Sequence, residues 1–156
     1  MCNLPYTWYC NFSVDISNLC MQLFLCKLYE HKSIFGLFFQ ECSFNKLHDN
    51  TALRVSYQGN VLVYSNRKCN RWYFKFDGNE CSGPFSIESV VYNYWPGGIS
   101  GNHRNYFFEG YCENLVRGTV SVELWVGKCS GYTLGDAYTG WNSVSRIMIE
   151  EVPPSQ

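Results

Sequence analysis

The sequence predicts an all-β antiparallel sandwich over residues 41–152, preceded by a poorly defined segment. Three observations carry this. From Glu41 onward, short runs of β-formers recur every 8 to 15 residues between Asn, Gly, Asp and Pro clusters. Aromatic residues make up 18% of the chain against 16% for all charged residues, a balance suited to half-buried pleated surfaces. The stretch "GTVSVELWVG" alternates strictly, with Val120, Val122, Leu124 and Val126 on one face and Thr119, Ser121, Glu123 and Trp125 on the other.

Taken in order, residues 1–40 form an unassigned segment, read as helical, disordered or mispredicted. "SNLCMQLFLCKLYEHKSIFGLFF" has a loosely helical set of apolar residues (Leu19, Leu23, Cys26) without a steady period. Strands are expected near 42–47, 51–57, 60–65, 71–77, 85–94, 104–111, 116–126 and 143–152. Gly59-Asn60 marks a hairpin between the second and third, Asp77-Gly78 turns the chain after the fourth, and Pro96-Gly97-Gly98 opens a loop. In "RWYFKFD", Trp72, Phe74 and Phe76 point inward, and Arg71, Tyr73, Lys75 and Asp77 outward. Trp125 on the polar face reads either as packing under a loop or as an oligomer or partner contact. Residues 153–156 form a frayed tail.

With 156 residues, one domain can bury about two-thirds of the surface that its unfolded chain exposes. The formal charge of -1, with no run of one sign, gives no footprint for nucleic acid or anionic lipid. No apolar stretch reaches the roughly 18 residues needed to span a bilayer. The first residues, "MCNLPYTWYCNFSVD", lack the basic start and apolar centre of a secretion signal.

Nine cysteines, at 2, 10, 20, 26, 42, 69, 81, 112 and 129, include no Cys-x-x-Cys pair. Two thiolates close enough to share a tetrahedral ion are therefore missing, and the spacing favours disulfides in an oxidising compartment over zinc or a dithiol redox motif. The count is odd, so at least one cysteine is free or bonded to another chain.

Signs of enzymatic chemistry are sparse. There are three histidines, His31, His48 and His103, and no nucleophile elbow, phosphate loop or dinucleotide fingerprint. A cysteine nucleophile paired with His48 or His103 is the one enzymatic alternative, against oxidation of the same cysteines into bridges. Asp77, Asn79 and Glu80 are hard oxygen ligands, but the twelve-residue calcium loop is absent and Asp-Gly is turn chemistry, so a hairpin is set against a cation site. No cofactor or metal is expected. One glycosylation sequon, at Asn11, lies in the unassigned segment.

The strings "ALRV" (52–55), "RWYFKFDGNECSGPFSIESVVY" (71–92), "LWVGKCSGY" (124–132) and "GDAYTGWNSVSRIMIEE" (135–151) resemble the C-terminal domain of the collagen triple helix repeat-containing protein family. The resemblance implies a secreted, non-enzymatic glycoprotein whose head is a homotrimeric jelly roll like those of complement component 1q and tumour necrosis factor. It implies roles in the extracellular matrix, in collagen regulation and cell migration, and in the planar-polarity branch of Wnt signalling, by bridging Wnt, Frizzled and a co-receptor. The expected strand number suits a jelly roll. The family's collagen stretch and secretion signal are not found here, so the chain is expected to have lost the stalk or to be a fragment or a mispredicted gene model. The family's additional cysteines before "RWYF" and its sequon after "YNYW" are also absent.

Within the matched block the cysteines are Cys42, Cys69, Cys81, Cys112 and Cys129. Flanking strands at the Asp77-Gly78 turn suggest Cys69 with Cys81, and Cys112 with Cys129 across two neighbouring strands. The fifth pairs between protomers or with an N-terminal cysteine. The loop "YWPGGISGNHRNYFF", with Tyr94, Trp95, His103, Arg104 and Tyr106, is the candidate partner contact, because Trp, Tyr and Arg dominate interface hot spots. Its alternative is a loop packed on its own sheet. A structural matrix component or a lectin-like glycan binder is the second functional reading.

Overall fold

A computed structural model describes residues 23–28, 31–33, 38–95, 101–140 and 142–153, with side chains from Glu41 onward. Asn11 and the Pro96-Gly98 turn lie outside the described residues, as does Leu19. Eleven strands and no helix are found among the described residues: β1 (Leu23–Leu28), β2 (His31–Ser33), β3 (Phe38–Lys46), β4 (Ala52–Tyr64), β5 (Lys68–Phe76), β6 (Asn79–Glu80), β7 (Glu88–Asn93), β8 (Arg104–Cys112), β9 (Gly118–Lys128), β10 (Asp136–Thr139) and β11 (Ser145–Val152).

They form two antiparallel sheets. The first runs β1-β11-β4-β10-β2 with β8 on the opposite side of β4, and the second runs β3-β9-β5 with β6 and β7 on the far side of β5. The eight longest strands therefore group as β1-β11-β4-β8 over β3-β9-β5-β7, an order compatible with a jelly roll. β1 and β2 lie within the stretch that the sequence left unassigned, pairing with β11 and β10.

Period-two alternation builds the core. β5 and β9 turn Trp72, Phe74, Phe76 and Val120, Val122, Leu124, Val126 inward, all nearly inaccessible. They meet Leu53, Val55, Tyr57, Ile147 and Ile149 of the first sheet. Each such side chain contributes about 1.5–3 kcal/mol by leaving water. The opposite faces carry Arg71, Tyr73, Lys75, Ser121, Glu123 and Trp125, as the alternation requires.

The turn at Asp77-Gly78 is a two-residue hairpin in which both residues are left-handed, with φ of 49° and 80°, and Lys75 opposes Glu80. Asp77 is tied to β9 as well: its Oδ1 accepts the Ser121 amide at 2.8 Å, and its own amide donates to the Ser121 carbonyl at 2.9 Å.

The expected hairpin at Gly59-Asn60 does not occur. Residues 52–64 are one strand, with Gly59 opposite Tyr106 and Asn60 opposite Asn105 of β8. At this point the other edge of β4 changes partner, from β11 (through Gln58) to β10 (from Val61), and the Asn60 carbonyl accepts the Gly140 amide at 2.8 Å. Glycine serves close approach here rather than a turn: a Cβ would collide with Ser145 Oγ and the Tyr57 hydroxyl. β10 was not expected from the sequence.

Polar groups between the sheets are paired. Trp72 Nε1 donates to Thr139 Oγ1 at 3.0 Å, and buried Asn70 clamps Gly135, donating to its carbonyl and accepting its amide, both at 2.8 Å.

Candidate functional site

Two disulfides fix the loop-bearing surface. Cys69, at the start of β5, is bonded to Cys129 just beyond β9, with Cα atoms 5.4 Å apart; Cys81, after β6, is bonded to Cys112 at the end of β8, with Cα atoms 5.7 Å apart. Both expected pairings, Cys69 with Cys81 and Cys112 with Cys129, are thereby corrected. The hairpin brings Glu80 opposite Lys75, which lies six residues along β5 from Cys69, a distance of about 20 Å in an extended strand. Cys129 instead emerges beside Cys69, because Asn70 opposes Lys128 and the Cys129 amide donates to the Cys69 carbonyl. Cys42 is also disulfide-bonded, to a partner outside the described side chains. All five cysteines of the block are thus oxidised, and none offers a thiolate to His48 or His103.

The contact candidates separate into two places. Tyr94 and Trp95 follow β7, about half exposed at 53% and 50%. They are held by their neighbours in the 65–67 turn: the Trp95 amide donates to Asn66 Oδ1 at 2.9 Å, Asn93 Nδ2 donates to the Ser65 carbonyl at 2.9 Å, and the Arg67 guanidinium stands 5.9 Å from the Tyr94 ring centre. Arg104 opens β8 of the first sheet, and His103 directly precedes it. His103 Nδ1 lies 2.7 Å from Asn60 Oδ1, with its ring edge-on to Tyr138, while Arg104 is exposed opposite Val61. Tyr106 is half-buried and packs against the core, so its ring serves folding.

A second surface lies on the outer face of the second sheet. Tyr73 and Trp125 are cross-strand partners; the Arg71 guanidinium sits 4.1 Å from the Tyr73 ring centre and Lys75 Nζ 4.1 Å from that of Trp125. Trp125 Nε1 donates to Glu123 Oε2 at 2.7 Å. Trp125 is therefore packed under a lysine on its own sheet and only partly exposed. Arg71 grips Glu80 with two nitrogens, at 3.1 and 2.6 Å, and Glu88 with its Nε. The Arg71 hydrogen bond pulls the Glu80 carboxyl below its ordinary range, against partial burial. Two open hollows, of about 410 and 480 Å³, meet at Arg71 and Lys128.

Sequence reading missed Arg67, Lys68, Lys128 and Tyr132, which stand at the end of the second sheet that the Cys69–Cys129 bond closes. The signal that would have found them is the correct Cys69–Cys129 pairing, since Lys68 and Lys128 each directly precede one of its cysteines. Among the described residues no group of three or more His, Cys, Asp or Glu side chains is placed to hold a metal ion. No helix of the described residues is long and apolar enough to cross a membrane.

The strings that carry the resemblance, "RWYFKFDGNECSGPFSIESVVY" and "LWVGKCSGY", thus form β5, its hairpin, β7 and the end of β9, the framework of both surfaces. Over residues 30–149 the chain matches the family model described as CTHRC1, C-terminal domain, and it belongs to that family, the collagen triple helix repeat-containing proteins.

Proposed function

We propose that this domain is the non-enzymatic, protein-binding head of a secreted matrix and signalling protein. It acts as a homotrimer that modulates Wnt planar-polarity signalling, cell migration and the collagen matrix, engaging Wnt, Frizzled and a co-receptor. The observation that carries the protein-binding reading is the adjacent pair Tyr94 and Trp95, half-exposed after β7 in a segment that hydrogen bonds tie to the 65–67 turn. Aromatic side chains held rigidly at a surface lose little entropy on docking, which is what makes them hot spots. Phe107 and Tyr111 on the outer face of β8, 57% and 43% exposed, supply apolar area for a second copy of the chain.

The test replaces Trp95 and Arg104 by Ala and measures binding to Wnt and Frizzled ectodomains, with oligomeric mass and melting temperature followed in parallel. Loss of binding with unchanged mass and melting is expected. Unchanged binding would reject this surface as the contact.

A lectin-like role is the second reading, favoured by the Tyr73–Trp125 pair flanked by Arg71, Glu80 and Glu88. Rings beside paired planar polar groups suit sugar faces and hydroxyls. A neutral-glycan array separates the two readings.

A further inference from the structure

The Cys69–Cys129 disulfide joins two segments that are both basic on its N-terminal side: Arg67-Lys68-Cys69 and Lys128-Cys129. Its 5.4 Å Cα separation gathers onto one end of the second sheet three cations that lie about sixty residues apart in the chain. None of the three has a carboxylate partner: the ion pairs among the described residues engage Arg54, Arg71, Arg117 and His48. Glu80 and Glu88, the acidic groups lining the hollow that Lys128 borders, both pair with Arg71, so that trio carries one net negative charge. Arg67 and Lys128 are exposed, and Lys68 Nζ is positioned by Thr133 Oγ1 at 2.6 Å. Three cations without ion pairs of their own outweigh that single charge and create a local positive potential in a chain of net charge -1.

Aromatic rings are interleaved with these cations. Tyr92 and Tyr132 pack edge to face at 5.3 Å, and Arg67 stands over Tyr94. Their exposed faces and hydroxyls match sugar rings as the cations match anionic substituents. Disulfides anchor this end of the sheet, so it meets its ligands in an oxidising compartment, where the repeating polyanions are sulfated glycans rather than nucleic acids.

We infer that Arg67, Lys68 and Lys128, with Tyr92, Tyr94 and Tyr132, form a binding site for a sulfated glycosaminoglycan. The site adjoins the Tyr73–Trp125 surface at Lys128, which borders both hollows, and it shares Tyr94 with the proposed protein contact.

The experiment measures binding of a heparin oligosaccharide to the full chain at low and fourfold higher salt. Three engaged cations predict a loss on the order of fortyfold over that change if the polyanion releases counterions as duplex DNA does, while Arg67→Ala/Lys128→Ala leaves only about a three- to fourfold loss. At the lower salt the double variant binds at least about tenfold more weakly. Arg67→Lys/Lys128→Arg retains binding, and Arg146→Ala, which removes an exposed cation from the other sheet, leaves it unchanged. Fully desulfated heparin does not compete. Should Arg67→Ala impair folding, Lys128→Gln alone provides the comparison. Wild-type affinity in the double variant or in Lys128→Gln, equal loss in Arg146→Ala, or equal competition by desulfated heparin would overturn the assignment. So would binding to phosphatidylserine-containing vesicles that heparin fails to displace, which would assign the patch to a membrane surface.

Discussion

Trp72 Nε1 donates a hydrogen bond to Thr139 Oγ1 at 3.0 Å, joining β5 of one sheet to β10 of the other in the interior of the sandwich. Both residues are almost completely buried. Thr139→Val keeps the shape and removes the acceptor, so the indole N–H is left unpaired at a cost of about 1–3 kcal/mol. Denaturant unfolding is expected to show that loss, with Thr139→Ser close to wild type. A Val variant as stable as wild type would mean that the pair contributes nothing.

Gly135 sits where Asn70 clamps both its backbone groups, with no space beside it. A Cβ would lie 2.7 Å from Lys68 Cβ, 2.8 Å from Val63 Cγ1 and 2.9 Å from the Tyr64 carbonyl oxygen. Gly135→Ala is expected to destabilise by about 1–3 kcal/mol through overpacking. Because the clash faces Lys68, thermal melting and heparin affinity should decline together.

Glu151 organises the turn between β3 and β4. It is nearly buried, and its carboxylate accepts the Leu47 amide at 2.8 Å, the His48 amide at 2.9 Å and the Thr51 hydroxyl. Burial alone pushes its pKa up, but these hydrogen bonds outweigh it and hold the carboxyl below the ordinary value of 4.5. A depressed folded-state pKa means that Glu151 contributes stability above its unfolded pKa, and that this contribution is lost as the pH falls through the folded value. Melting temperature measured from neutral pH to below about pH 4 should therefore drop less steeply for Glu151→Gln than for wild type, from a lower starting point. Parallel curves would contradict this role.

Legibility in the sequence followed the locality of the cause. β5 and β9 were readable because alternation is a property of consecutive residues, and Asp77-Gly78 because a two-residue turn is set by its own φ angles. Gly59-Asn60 misled because its glycine answers to Ser145 and Tyr57, which no local pattern reveals. β10 escaped notice because "DAYT" is short and gains its strand from flanking neighbours β4 and β2. Of the contact candidates, Tyr94, Trp95 and Arg104 are exposed, whereas Tyr106 packs against the core and His103 lies against Asn60. The basic cluster was invisible because its members converge only through strand register and a disulfide between distant cysteines.

The Cys69–Cys129 disulfide sets where Lys68, Lys128, Tyr92 and Tyr132 stand. Peptide mapping of the unreduced chain tests it most directly. Cys69 linked to Cys129 and Cys81 linked to Cys112 is the expected result; Cys69 linked to Cys81, or recovered as a free thiol, would contradict it.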